Sequence, residues 1–417
     1  MKKFEAYLND KIVPKINVFT ENRYLSAIRT AMVATVPFTI AGSIFMIICY
    51  FPIGGWTKIV EPYQKLLYIP VTATFGVLGI IVTFAIAYDL SKRYKMDAVT
   101  SAILATLCFL LINIGPKTGE LVTDGLGVQG IFTGIIIAFI AVEVQRFLNE
   151  KNLVIRLPDS VPDIVVESFA ALVPFIVLLV LFWFVRFVLG FDIEHAVMLL
   201  FSPLVFALNT LWGILVFTFM VTLLWSVGIN GDMALSGIGD PIILMYLTAN
   251  TAALAHGQSI PYITATGFSS SFVQLGGTGA TIGLAICLLM SKEPGLRKVS
   301  RMAFIPSLFN INEPIFFGIP IVLNPLLMIP YVFSALFLTA STYLLMYYHV
   351  IGRPVVMVPW TTPPIISQYL VTGGDWRAAV WGAVALVLCI CIYYPFAKVI
   401  EKQRLKAEAK GDHSAHV

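Results

Sequence analysis

The sequence predicts an all-α protein that crosses a membrane many times, and three observations carry that prediction. Of its 417 residues 58% are hydrophobic and 12% charged, with a mean hydropathy of +0.88, whereas a soluble domain has about 25% charged residues. Several uncharged windows exceed the roughly 20 residues that an α-helix needs to cross the hydrocarbon core. Those windows do not alternate apolar and polar residues, as the strands of a membrane barrel must.

Taken in order, residues 1–24 are charged and polar and lack an apolar h-region, so they read as a cytoplasmic segment and not as a cleaved signal peptide. Phe4, Leu8, Ile12, Val13 and Ile16 fit a short amphipathic helix at the interface, interrupted by Pro14; a frayed terminus is the alternative. Uncharged runs place spans near 30–51, 71–90, 98–115, 129–147 and 167–190. The tracts "SKRYK" (Ser91 to Lys95) and "QRFLNEKNLVIR" (Gln145 to Arg156) are basic, while the 51–70 and 115–128 loops balance few bases with acids. The positive-inside rule then puts the amino terminus and both basic loops in the cytoplasm. Arg186, near the end of the fifth span, is expected to snorkel to the interface. The proline-bearing "LPDSVPDIVVESFAALVPF" (Leu157 to Phe175) reads as a connector between two halves, 25–160 and 161–398.

A sixth span lies around Asn209 to Ser226. The next stretch, Pro241 to Ser291, holds 51 residues without Asp, Glu, Lys or Arg, yet "AHGQSIPY", "TGFSSS" and "LGGTGATIG" break it. Part of it is expected to enter the membrane without crossing. Irregular backbone at that depth is tolerated only where protein covers it or where it lines a watery cavity. The basic loop "SKEPGLRKVSR" (Ser291 to Arg301) reads as cytoplasmic, further spans lie within Pro320 to Met346 and from Ala378 to Phe396, and the tail 399–417 is polar and cytoplasmic.

Several function classes drop out. The net charge of +4 is spread in short tracts between apolar runs, so it signals topology and not nucleic acid. Cys49, Cys108, Cys287, Cys389 and Cys391 lie in or at the ends of spans without paired spacing, which predicts five buried, inert thiols, no disulfide and no metal. "GLGVQG" (Gly125 to Gly130) follows no strand and is a loop entering span four. "GGTGATIG" lacks the Lys of a phosphate-binding loop; its glycines allow close packing or expose amides, and no cofactor is expected.

The polar exceptions point to the site. In "LFNINEPIFFGIP" (Leu308 to Pro320), Glu313 is the only Asp, Glu, Lys or Arg between Arg301 and Arg353. An unpaired carboxylate at the bilayer centre costs at least about 2.5–3.5 kcal/mol, so it must face protein, water or ligand. Protonation and a bond to a backbone carbonyl is the structural alternative. Asn310, Asn312, Pro314, Gly318 and Pro320 instead describe a turn that presents a carboxylate. Carboxylate and amides without a partner cation suit a sugar, whose hydroxyls donate and accept while its C–H faces pack on aromatic rings. Trp360, with Thr361 and Thr362 in "VPWTTPP", offers such a ring; Trp225 stands before "SVGINGD", where Asn230 and Asp232 form a second polar cluster. Interfacial anchoring is the competing role for Trp360, and it is the role expected of Trp56, Trp376 and Trp381.

Together "FNINEPIFFGIPIVLNPLLMIPYV", "GGTGATIG", "PDSVPDIVVESFAALVP" and "VPWTTPP" make nearly the whole chain resemble the membrane IIC component of the lactose/cellobiose/diacetylchitobiose family of bacterial phosphotransferase systems. The resemblance implies an all-helical homodimer in the cell membrane, with about ten transmembrane helices and two re-entrant hairpins. The amino half would dimerise and the carboxyl half would carry a β-linked disaccharide across as a body. It implies a sugar site of Glu313, Asn312, Trp360, Thr361, Asn230, Gly231, Gly277 and Thr278, with Glu313 on the hydroxyl to be phosphorylated. A separate cytoplasmic IIB subunit, charged through IIA, would donate from a phosphocysteine, so no residue of this chain is expected to be phosphorylated. The chain departs from the pattern at Asn230, where many members carry histidine; an amide cannot take up a proton near neutral pH. His256 is a candidate to replace it. Two rivals stand beside this reading: an ion-coupled transporter with Glu313 and Asp232 or Asp240 as a relay, and an intramembrane enzyme, disfavoured by scattered histidines.

Overall fold

The computed structural model describes residues 22–49, 56–153, 155, 171–319 and 321–409. The amphipathic segment and most of the 157–175 connector lie outside them. Among the described residues the secondary structure is helical, without a strand beyond one isolated bridge between Ile114 and Leu121.

The amino-terminal part comprises α1 (Arg23–Cys49), α2 (Trp56–Val60), α3 (Gln64–Phe75), α4 (Leu78–Arg93), α5 (Ala98–Ile112), α6 (Ile131–Glu150), α7 (Leu172–Trp183) and α8 (Ile193–Leu208). Short polar side chains start several of these: Asp97 accepts from the Val99 amide at 3.1 Å ahead of α5, and Asp192 from the His195 amide at 3.1 Å ahead of α8, each satisfying a donor that the first turn leaves open. Then come α9 (Leu211–Ser226), α10 (Gly231–Ala255), α11 (Ile282–Leu289), α12 (Pro294–Leu308), α13 (Glu313–Gly318), α14 (Pro325–Tyr347), α15 (Ile366–Val371) and α16 (Trp376–Ala409).

Among the described residues six helices are long and apolar enough to cross a membrane, or seven if α7, extended to Val188, and α8 are one span bent by 88°. The expected spans at 98–115 and 209–226 form as α5 and α9, of 15 and 16 residues. At 1.5 Å per residue such helices reach about 22–24 Å, short of the roughly 30 Å core. The second span begins earlier than the sequence predicts, because helix runs from Lys58 to Arg93.

Packing resolves into three clusters. The largest joins α1 (Ala27, Met46), α4, α5 and α6 to Leu178 and Phe182 of α7 and Val197 and Leu208 of α8, and it takes in Ile242 to Leu247 of α10. The other two lie in the carboxyl part, one around Phe268, Phe272 and Leu338, the other around Phe316, Tyr331 and Tyr393. Packing therefore changes hands at the end of α8, later than the proline-bearing connector, and α10 touches both bodies.

The broken stretch after α10 is exposed from His256 to Ser259 and largely covered by protein from Ile263 on. The Asn250 amide donates to the Tyr262 and Pro354 carbonyls at 2.7 Å each and accepts from the Tyr262 amide at 2.8 Å, while Thr251 donates to the Val355 carbonyl at 2.7 Å. Asn209 accepts from the Ile263 amide at 2.9 Å. Buried side chains thus take the place of the helical ladder.

One expectation is corrected. Cys391 is exposed, the other four cysteines being buried; two residues beyond buried Cys389, it lies about 200° around α16, on the opposite face. Arg186, its side chain 15% exposed, meets Asp192 at 3.4 Å. The bend before α8 brings that acid to it.

Candidate functional site

Three segments that break the apolar pattern are tied together by two asparagines. Asn310, in left-handed backbone at φ +61°, donates to the Trp360 carbonyl at 2.6 Å and the Thr362 carbonyl at 3.2 Å, and accepts from the Gly276 amide at 2.9 Å. Asn312, buried, donates to the Thr278 carbonyl at 2.9 Å. The "NINEP" turn, the glycine loop and the tryptophan loop are therefore one unit, stitched by two buried amides, of which Asn310 both donates and accepts and Asn312 donates.

Glycine is required where the loop meets that turn. A Cβ on Gly277, at φ +101°, would stand 2.5 Å from the Asn312 side chain; one on Gly279, at φ +80°, would stand 2.2 Å from the Tyr331 ring. Tyr393 donates to the Gly279 carbonyl at 2.7 Å and fixes the loop from behind.

Asp232 is the polar centre of this unit. It lies in the first turn of α10, behind Asn230, which caps that helix by accepting from the Met233 amide at 2.9 Å. Asp232 accepts from Trp225 Nε1 at 2.8 Å, Thr278 Oγ1 at 2.6 Å and Gln274 Nε2 at 2.6 Å. Three donors and a helix N-terminus compensate the charge without a cation, since bonds to an ionised acceptor are stronger than neutral ones.

A cavity of about 360 Å³ opens against this wall, lined among others by Arg29 of α1, Thr218 of α9, Asp232 and Asp240 of α10, Thr278 and Trp360. The volume falls in the range of roughly 300–1,000 Å³ usual for small-molecule sites. Its lining runs from α1 across α9 and α10 to the glycine and tryptophan loops.

Of the residues singled out from the sequence, Trp360 and Thr278 line the cavity, Trp360 with 55% of its surface open. Asn312 and Gly277 stand directly behind Thr278. Asn230 is a helix cap, Gly231 packs against the Val221 backbone, and Thr361 follows Trp360 without lining the cavity. Glu313 opens α13, exposed, with no hydrogen bond or ion pair among the described residues, and it is not among the cavity's lining residues. His256 is exposed at the far end of α10; the helix of 25 residues keeps it about 39 Å from Asn230 along the axis, so the structure does not bring it to the cavity. Reading the sequence missed Gln274 and Arg29, and it noticed Asp232 as part of a polar cluster with Asn230 and as a relay candidate without its partners. Gln274 carried a signal: it is the only Asn or Gln between Gln258 and Asn310.

The family model for the phosphotransferase system EIIC component matches residues 29–335. The lichenan permease IIC component of Bacillus subtilis (strain 168) is 34% identical over 98% of this chain and 96% of its own length. The cellobiose-specific EIIC component of Geobacillus stearothermophilus is 35% identical over 99% and 97%. Among solved structures, the transporter ChbC, the IIC component of an N,N'-diacetylchitobiose-specific phosphotransferase system, superposes with a TM-score of 0.91 at 35% identity, covering 97% of this chain and all of that one. These likenesses support a phosphotransferase permease and not the ion-coupled rival. Since the family model spans most of the chain and the relatives align over nearly their whole length, the chain belongs to the phosphotransferase-system EIIC family: it is a multi-pass membrane sugar permease that works with IIB and IIA components.

Proposed function

We propose that this permease carries a β-linked disaccharide of the cellobiose, diacetylchitobiose or lactose type and presents it to a separate IIB subunit, whose phosphocysteine phosphorylates it. The observation that carries the reading is the joining of "NINEP", the glycine loop and Trp360 at one cavity. In this reading a pyranose face packs on Trp360, its hydroxyls meet the wall of Thr278 and Asp232, and Glu313 accepts the hydroxyl to be phosphorylated. Glu313 stands one residue from Asn312, which holds Thr278, and no base neutralises it among the described residues. Asn312, Gly277, Asn230 and Gly231 hold the wall, and Asn310 holds the tryptophan loop on either side of Thr361. His256 takes no part.

The amino half, as a homodimer, is the fixed body and the carboxyl part carries the sugar. Both termini are cytoplasmic. In support, three segments read as cytoplasmic meet: Tyr24 donates to Glu143 at 2.8 Å, Tyr94 donates to the same carboxylate, and Arg146 donates to it at 2.9 Å.

Binding titrations on the purified protein, with cellobiose, diacetylchitobiose and lactose, test the site. Trp360→Ala should weaken the preferred sugar at least tenfold, about 1.4 kcal/mol. Glu313→Gln should abolish sugar-phosphate formation in vesicles supplied with phosphorylated IIB and no ion gradient. Wild-type rates in Glu313→Gln would remove the glutamate from the mechanism.

A further inference from the structure

We infer that Asp240 forms a second pole of the sugar site, accepting hydroxyls of the ring that lies away from Trp360 and thereby selecting a disaccharide over a monosaccharide. This rests on the cavity being the sugar site.

Asp232, Ser236 and Asp240 occupy positions i, i+4 and i+8 of α10 and all three line the cavity. They form one stripe on the helix, with the carboxylates about 12 Å apart along the axis. That separation matches the long dimension of two linked hexose rings better than one. The two acids are not equivalent. Asp232 is committed to Trp225, Gln274 and Thr278, and the Ser236 hydroxyl donates back to the Met233 carbonyl at 3.0 Å. Asp240 makes no hydrogen bond or ion pair among the described residues. It is deeply enclosed by protein, yet it keeps accessible surface, and the cavity supplies that surface.

A carboxylate enclosed by protein without a hydrogen-bond donor is costly, because bulk water does not solvate it. A hydroxyl-bearing guest meets the deficit directly, since an acceptor-only group binds donors and a sugar ring offers several. Thr266, Ser269 and Ser270 also line the cavity, so further hydroxyl partners are available in it. No group of three His, Cys, Asp or Glu able to hold a metal occurs among the described residues, and the hydroxyl donors of a sugar suit an acceptor such as Asp240.

The experiment measures binding of cellobiose, diacetylchitobiose and lactose, and of their component monosaccharides by competition, to wild type, Asp240→Asn, Asp240→Ser and Trp360→Ala. Thermal unfolding confirms that each variant is folded. Asp240→Asn and Asp240→Ser should weaken the preferred disaccharide tenfold or more while moving the monosaccharide constants less than twofold. Trp360→Ala should weaken both classes. Unchanged disaccharide affinity in folded Asp240 variants, or equal weakening of both classes, overturns the second pole while an effect of Trp360→Ala leaves the cavity reading standing. A wild-type protein that binds none of these sugars, or a Trp360→Ala protein identical to it, removes the cavity reading and this inference together.

Discussion

At the scale of single residues, the consequential side chain is Asp232, because its two oxygens serve three donors, Trp225 at the end of α9 and Gln274 and Thr278 of the glycine loop. An amide in its place has one oxygen and an NH2, so at least one of Trp225, Gln274 and Thr278 would face a donor instead of an acceptor. Asp232→Asn should therefore destabilise the protein by about 1.5–3 kcal/mol, the usual worth of a bond to a charged group, read as a lowered unfolding midpoint in detergent. The Trp225 indole, which donates to this carboxylate, should also change its emission. Wild-type stability would mean that water satisfies the three donors equally well. This role was only partly legible beforehand. Asp232 stood out as an acid in an apolar setting, but its partners Gln274 and Thr278 are 42 and 46 residues away, and no periodicity reports pairings at that distance.

At the scale of elements, the glycine loop is built for close approach, and two glycines separate the contributions of strain and space. Gly257 and Gly279 both have positive φ, +63° and +80°, but a Cβ on Gly257 would meet nothing within 4 Å, whereas one on Gly279 would strike the Tyr331 ring. Gly257→Ala should cost only the left-handed backbone penalty, about 1–2 kcal/mol. Gly279→Ala should add an overpacking cost of about 1–3 kcal/mol and displace the loop that carries Thr278, so sugar affinity should fall together with stability. Equal losses in the two variants would show that Tyr331 moves aside freely. The helices themselves were readable because uncharged length and capping residues are local signals: α5 starts after Asp97, α9 after Thr210 and α10 after Asn230. The number of crossings was less so, since α5 and α9 are short and the segment from Leu172 to Leu208 bends by 88°. Apolar length alone does not distinguish a crossing helix from one that turns along the surface.

At the scale of the whole molecule, the cavity lies where α1 of the amino-terminal part faces α10 and the broken loops, so a change in the relation of these bodies would expose or close it. The sequence offers a proline-bearing connector as the boundary between two halves, whereas the packing places α7 and α8 with the amino-terminal cluster, a grouping that depends on long-range contacts. If the carboxyl part moves as a body, a bond across the seam should stop transport without removing the binding site. The close contact of Gly237 with α1 provides the place: a Cβ there would lie 3.7 Å from the Ile28 Cβ, within the roughly 3.5–4.5 Å separation that a disulfide needs. Ile28→Cys with Gly237→Cys, after oxidation, should retain sugar binding within about threefold, less than 1 kcal/mol, and lose vesicle uptake; a thiol reductant should restore uptake. Each single variant, carrying the same native cysteines, controls for damage at its own position. Uptake that continues with the bond formed would mean that α1 and α10 travel together, and that the moving boundary lies elsewhere, beyond α10 in the carboxyl clusters.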